Sequence, residues 1–405
     1  MTVIRLRGAT IFDATGREPR RADVWLRDGT IGEIGGGVPA GDGDVLDLDG
    51  HTVLPGFIDA HAHVGLLSLY GQAAWSDAEQ AAYVFRNLRE SLDQGFTTLR
   101  DLGGIDGGVV KAIRAGLVEG PRVLPSGQIL SQIGGHGDMR PRASDEPENP
   151  SFGCGGLVRN HALCTGTDQV RAAVRTQFRR GATQIKMFVT GGVLSEGDPL
   201  DVPQFTVEEI RAAHEEAAGH GSYVTVHAHS DAGLLRALEA GVRSFEHASM
   251  ISEEAAQALK RAGAFAVPTL AVDEVLASDP ASWGVPAHLL DDLDDLRDSQ
   301  RRSVRMLFGL GVPLGSGADL IGVEQRSRAR QIYLMAKEIG LANAIESATR
   351  VNAELMGLAG RVGTIETGKI ADLVVYEGDA AVDPEIIGTR PPAYVIQGGR
   401  IVRRP

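Results

Sequence analysis

The sequence predicts an α/β protein, a (β/α)₈ TIM barrel carrying a small β-sandwich domain built from both ends of the chain. Three observations carry this. Between residues 53 and 365, short β-branched runs alternate with helical patterns, the signature of a parallel sheet with crossover helices. Eight such runs can be counted, the number that closes a barrel of this kind. The two flanks, 1–52 and 366–405, read instead as short strands and turns, and chain ends commonly lie close together in space.

In the first flank, Thr2–Leu6, Ala22–Leu26 and Thr30–Ile34 alternate in polarity, with Arg27-Asp28-Gly29 as a hairpin turn. The last flank repeats the pattern in Ile370–Tyr376 and Ala393–Val402. These two stretches, 1–52 and 366–405, are expected to form one composite β domain. The eight expected barrel strands are Val53–Ala60, Thr97–Asp101, Arg122–Ser126, Gln184–Phe188, Val224–His227, Ser244–His247, Phe265–Pro268 and Val312–Asp319. Helical patterns fall between them. Thr206-Val-Glu-Glu209 is a capping box for a helix that Gly219 and Gly221 stop, and Asp168–Arg180 and Asp231–Ala240 show three-to-four apolar spacing.

Composition narrows the classes of function. At 405 residues the chain exceeds one small core, and its net charge of −13 argues against a nucleic-acid partner. Cys154 and Cys164 are the two cysteines, too few for a disulfide framework, which suggests a reducing cytoplasm. No apolar run is long enough to span a bilayer, and the first residues lack a signal-peptide core, so no membrane partner is expected.

Chemistry-bearing side chains collect at the strand ends. His61 and His63, spaced i, i+2 in Pro55-Gly-Phe-Ile-Asp-Ala-His-Ala-His63, point the same way on an extended chain. Lys186 lies in the fourth strand, His227 and His247 end the fifth and sixth, and Asp319 ends the eighth. Each alone is explained by an edge histidine, a solvated lysine or a capping aspartate. Together they bring four imidazoles, an amine and a carboxylate to one mouth, where barrel active sites lie, and this points to a metal site.

PGFIDAHAH, GGHGD, GATQIKMFVTGGVLSEGDP, VHAHS, FEHAS, VPTL, GSGAD and GTIETGKIADLVVY resemble the metallo-dependent amidohydrolase superfamily. The nearest likeness is to its imidazolonepropionase-like branch, which includes Xaa-Pro dipeptidases, and it covers nearly the whole chain. The resemblance implies two divalent metal ions, usually zinc. His61, His63 and Asp319 would hold one and His227 and His247 the other. Lys186, converted by CO₂ to a carbamate, would bridge them. An ammonium has no lone pair for a metal, whereas a carbamate offers two anionic oxygens. Hydroxide would bridge on the other side, and Asp319 would take its proton and pass it to the leaving amine.

His136, in Ile133-Gly-Gly-His-Gly-Asp138, would donate to the scissile carbonyl, or is a loop histidine in a Gly-rich turn. His229 stands where many relatives carry tyrosine, either touching substrate or orienting a ligand. Arg140, Arg142 and Arg159, in the long stretch 138–167, are candidates for a substrate carboxylate or are solvated surface groups. Neither cysteine receives a role, nor do His51, His161, His214, His220 and His288. The expected activity is hydrolysis of an amide bond in a small molecule, a dipeptide of Xaa-Pro type or an N-acyl amino acid, by a homo-oligomeric enzyme. Alternatives are a cyclic amide, carbamate, urea or toxin-type amide on the same metals, or a non-catalytic scaffold.

Overall fold

The computed structural model describes residues 3–35, 43–68, 75–140, 157–158, 160–192, 198–279 and 290–405. The flanks form one eight-stranded sheet in the order 400–403, 394–397, 373–377, 51–55, 3–11, 20–27, 30–34, with 44–47 paired to 3–11. An apolar cluster on this sheet includes Leu6, Ile11, Leu26, Ile31, Leu48, Leu373 and Ile396. The expected hairpin is present, with Arg27 opposite Thr30.

The apolar run expected as one strand from Val53 to Ala60 is two. His51–Pro55 pairs with Val3–Ile11 and Leu373–Glu377, whereas Phe57–Ala62 pairs with Phe96–Asp101. Pro55-Gly56 is the physical reason. Proline ends the ladder of the small sheet, and a side chain on Gly56 would strike Thr97.

The barrel strands follow in the expected order: Phe57–Ala62, Phe96–Asp101, Arg122–Pro125, Ile185–Phe188, Val224–Ser230, Ser244–Met250 and Phe265–Val267. All adjacent ladders among them are parallel. The eighth expected strand, 312–319, makes no full ladder but bonds on both sides. Gly315 N–H donates to the Ala266 carbonyl (2.8 Å) and Asp319 N–H to the His61 carbonyl (2.7 Å), joining the last strand to the first. Between the third and fourth strands, Thr183 N–H donates to the Pro125 carbonyl at 2.8 Å. Gly317 permits this approach to the first strand, since a Cβ there would lie 2.4 Å from His61 Cβ.

Two short strands escape sequence reading. Ile129–Ser131 and His161–Leu163 pair in parallel beside the fourth strand, each only three residues long and too short to show a period. Helices cover the outer face. Val207–Gly219 opens with the expected capping box, Thr206 accepting from Glu209 N–H and Glu209 from Thr206 N–H at 2.8 Å. The helices at 168 and 231 are Gly166–Arg179 and Asp231–Glu239, matching expectation within two residues.

The barrel interior below the mouth is ionic as well as apolar. Arg100 reaches Glu246 at 2.6 Å and donates to the Ala60 carbonyl, and Arg328 pairs with Asp59; all four side chains are fully buried. Asp59 also accepts from the N–H groups of His61 and Ala318, so one carboxylate ties the first strand to the closing segment.

Candidate active site

Phe57–Ala62 delivers His61 and, one residue beyond, His63. Ile185–Phe188 delivers Lys186, Val224–Ser230 both His227 and His229, and Ser244–Met250 delivers His247. These six side chains and Asp319 line one cavity and are almost fully shielded from solvent. The even spacing of the HxH pairs on extended chain accounts for this, since alternate side chains share a face.

His61 Nε2 lies 3.2 Å from His63 Nε2, 3.3 Å from Asp319 Oδ1 and 3.4 Å from Lys186 Nζ. His63 Nε2 is also 3.3 Å from Asp319 Oδ1, and His227 Nδ1 is 3.0 Å from His247 Nε2. The outward ring nitrogens are anchored. His63 Nδ1 faces the Gly103 carbonyl, His227 Nε2 the Gly191 carbonyl and His247 Nδ1 the Thr269 hydroxyl. Glu246 Oε2 lies 2.9 Å from His61 Nδ1. Outer partners of this kind fix ring orientation and tautomer at metal sites. Three backbone positions here adopt a left-handed conformation that non-glycine residues rarely take: His247 (φ 66), Ala248 (φ 49) and Asp319 (φ 54).

The electrostatics suit cation binding. Burial, then neighbouring positive groups, pushes His227 and His247 well below the ordinary imidazole value, leaving their rings neutral with lone pairs available. Burial likewise takes His229 to about 3 and lowers the Lys186 amine to about 8. For Asp319, burial pushes upward, but His61 and His63 outweigh it and hold the carboxylate below its usual range. Burial also raises Glu246, and Arg100 with His61 overcomes it, keeping that carboxyl at about 2.

Two clusters among the described residues offer donor atoms within 4.8 Å of one another: His227, His229 and His247, and His61, His247 and Asp319. Imidazole nitrogens and a carboxylate oxygen form a donor set that divalent transition metals accept. The grouping differs from the expected one in detail. His247 belongs to both clusters, and His229, expected to touch substrate or orient a ligand, itself presents a donor.

His136 reaches the cavity from the loop after Ile129–Ser131. Its Nδ1 lies 3.0 Å from Asp198 Oδ2, its N–H donates to Gln204, and its ring stacks on His227 at 4.7 Å. Gly192 makes room, since a Cβ there would lie 2.3 Å from His136 Cε1. Arg140 is paired with Asp138 through two bonds of 2.6 and 2.7 Å and does not line the cavity. Arg142, Arg159, Cys154 and His288 lie outside the described residues. Cys164 is buried away from the cavity.

Sequence reasoning left out several residues. His161, given no role, lines the cavity beside Phe188, and burial takes its ring to about 3. Asp198, Glu246 and Asp273 were also passed over. Glu246 had a signal, a lone charge inside a buried parallel strand, Ser-Phe-Glu-His. Asp198 and Asp273 had none, because nothing local marks which loop or helix acid turns inward.

The model of the Amidohydrolase family matches residues 52–402. Ochratoxinase from Aspergillus niger is 32% identical over 372 residues, covering 87% of this chain and 76% of that protein. A prolidase solved with N-methylphosphonate-L-proline superposes with a TM-score of 0.93 at 35% identity, covering all of both chains. A Xaa-Pro dipeptidase solved with methionine in its active site gives 0.89 at 28% identity, covering 99% of this chain and 100% of that one. Among the described residues, no helix is long and apolar enough to cross a membrane. The chain belongs to the Amidohydrolase family and is a hydrolase acting on amide bonds.

Proposed function

We propose that the protein is a binuclear metal-dependent amidohydrolase that cleaves a dipeptide of Xaa-Pro type or an N-acyl amino acid. The observation that carries this is the convergence of four barrel strands and the closing segment on one cluster: His61, His63, His227, His247 and Asp319 around Lys186. Two divalent ions, zinc by preference of the donor set, would supply Lewis acidity and lower the pKa of a bound water. His61, His63 and Asp319 would hold one, His227 and His247 the other, with His229 in reach of the second.

Lys186, as a carbamate, would supply an anionic oxygen donor to the metal centre. At an amine pKa of about 8, a useful fraction is neutral near pH 7 and can attack CO₂ through nitrogen; the N–C bond forms, one proton leaves, and a carbamate results. Asp319 accepts the proton of the attacking water on its carboxylate and carries it to the amide nitrogen as the C–N bond breaks. His136, held by Asp198 at Nδ1, presents Nε2 to the cavity as a donor to the developing oxyanion. Leu66, Ile129, Phe188 and Leu296 wall the cavity and exclude water around these charges.

A toxin-type amide is the second reading, favoured by the similarity to ochratoxinase and by that apolar wall. The test is a hydrolysis screen of the metal-loaded enzyme against dipeptides, N-acyl amino acids and bulky aryl amides whose leaving amine carries no carboxylate. Cleavage of the first two groups supports the main reading. Cleavage of the aryl amides alone supports the second. No cleavage of any amide contradicts both.

A further inference from the structure

The cavity holds one acidic side chain for which the reaction above has no use. Asp273 lies in the first turn of the helix Leu270–Ser278, which follows the seventh barrel strand. It is 4% exposed and lines the same cavity as the histidine cluster. Its Oδ2 is buried without a hydrogen-bond partner. No cation among the described residues pairs with it. Two cations act on it from beyond ion-pair distance: Arg297, which pairs with Asp294 at 3.1 Å, and Arg301, which lies 3.9 Å from Glu338 and has a buried Nε without a hydrogen-bond partner.

A buried carboxyl without a donor is costly, by roughly 1–3 kcal/mol or more, so natural structures rarely leave one unmatched. Burial, reinforced by Asp319, pushes this carboxyl up to about 8, which reflects the missing partner. Its surroundings describe what would fit. Val272, Leu276, Leu296 and Ile321 form an apolar wall beside it in the cavity. One acceptor set in an apolar wall matches a group that is apolar in body and carries a single N–H donor or positive charge.

We infer that Asp273 binds the ammonium group of the substrate, so that the enzyme selects dipeptides with a free α-amino group over N-acylated amino acids. Val272, Leu276 and Leu296 then receive the apolar side chain of the amino-terminal residue. This rests on the amide-hydrolase reading of the site and narrows its substrate class. Asp273 touches substrate here and takes no part in bond breaking. Its carboxylate and the ammonium form a charge-assisted hydrogen bond that an N-acetyl group cannot supply.

The experiment compares leucyl-proline with N-acetyl-leucyl-proline on the zinc-loaded enzyme and on Asp273→Asn and Asp273→Leu, with metal content measured for each. The parent should prefer the free dipeptide. Both variants should lose about 10- to 100-fold in kcat/KM on it, mainly through KM, the range of a bond to a charged group. The acetylated substrate should be unchanged or improved. Equal losses on both substrates, or none on either, at unchanged metal content would overturn the inference. Ligand-induced thermal shift separates this from failure of the functional reading. If neither compound is cleaved, stabilisation of the parent by the free dipeptide, absent in both variants, upholds the role of Asp273 and removes only the assigned reaction. Equal stabilisation of parent and variants overturns it.

Discussion

Among single residues, Lys186 separates a structural charge from a metal bridge. A solvated lysine would tolerate arginine, whereas a guanidinium cannot take the place of an anion that binds two cations. Lys186→Ala should be inactive and metal-poor, with partial recovery when short carboxylates are added at high concentration. Unchanged metal content and activity in Lys186→Arg would refute the assignment. Asp319 separates catalysis from ligation. Expelling an amine needs a proton far more than expelling a phenolate does, and proton shuttling contributes about 10²–10⁴-fold. Asp319→Asn should therefore lose much more activity on an amide than on a matched activated ester. Equal losses with metals retained would leave Asp319 as a ligand only. Asp273 gives a pH signature in the chelated protein. Its folded carboxyl is raised from 3.8 to about 8 by burial and Asp319, against the pull of Arg297 and Arg301. The stability it contributes is present below the ordinary carboxylate range and lost as pH rises through about 8. Asp273→Asn should thus gain on the parent as pH rises across that window; thermal unfolding at several pH values that keeps the gap constant would contradict this. The six metal-site candidates could be singled out because each is a chemically distinctive residue in or next to an expected barrel strand, and the structure brings them to one cavity. Asp273 and His161 could not be, because their inward aim depends on how a helix and a short strand pack.

Individual elements show where pattern reading succeeds. Apolar β-branched runs marked the seven barrel strands, which lie in two parallel sheets, since a buried parallel strand reads as continuous apolar sequence. The closing segment 312–319 was also found, yet its glycines leave it with isolated bonds in place of a ladder. The split at Pro55-Gly56 was missed because both halves are apolar and periodicity does not change across it. Asp59 and Arg328 bind the first strand to the closing region, and sequence gives no hint that residues so far apart pair. Removing one member of a buried ion pair leaves an uncompensated charge and costs about 3–5 kcal/mol. Arg328→Leu should lower unfolding stability by that order, and a loss below ~1 kcal/mol in denaturant titration would show that Asp59 is satisfied by its backbone donors alone.

For the whole molecule, the fold class was legible from the βαβ alternation, and the pairing of both flanks in one sheet from their shared turn-and-strand pattern. What pattern reading cannot supply is depth, because the interior ion pairs and the cavity wall come from residues distant in sequence. Under the proposed function, five separated stretches of chain build one two-metal centre that cleaves an amide. Metal analysis of the purified enzyme, joined to an amide-hydrolysis assay before and after chelation, tests it most directly. The account predicts about two divalent ions per chain, loss of activity on their removal and return on adding zinc, with His61→Ala and His227→Ala each metal-deficient. Amide hydrolysis that persists in the metal-free protein, or full metal content in both variants, would contradict it.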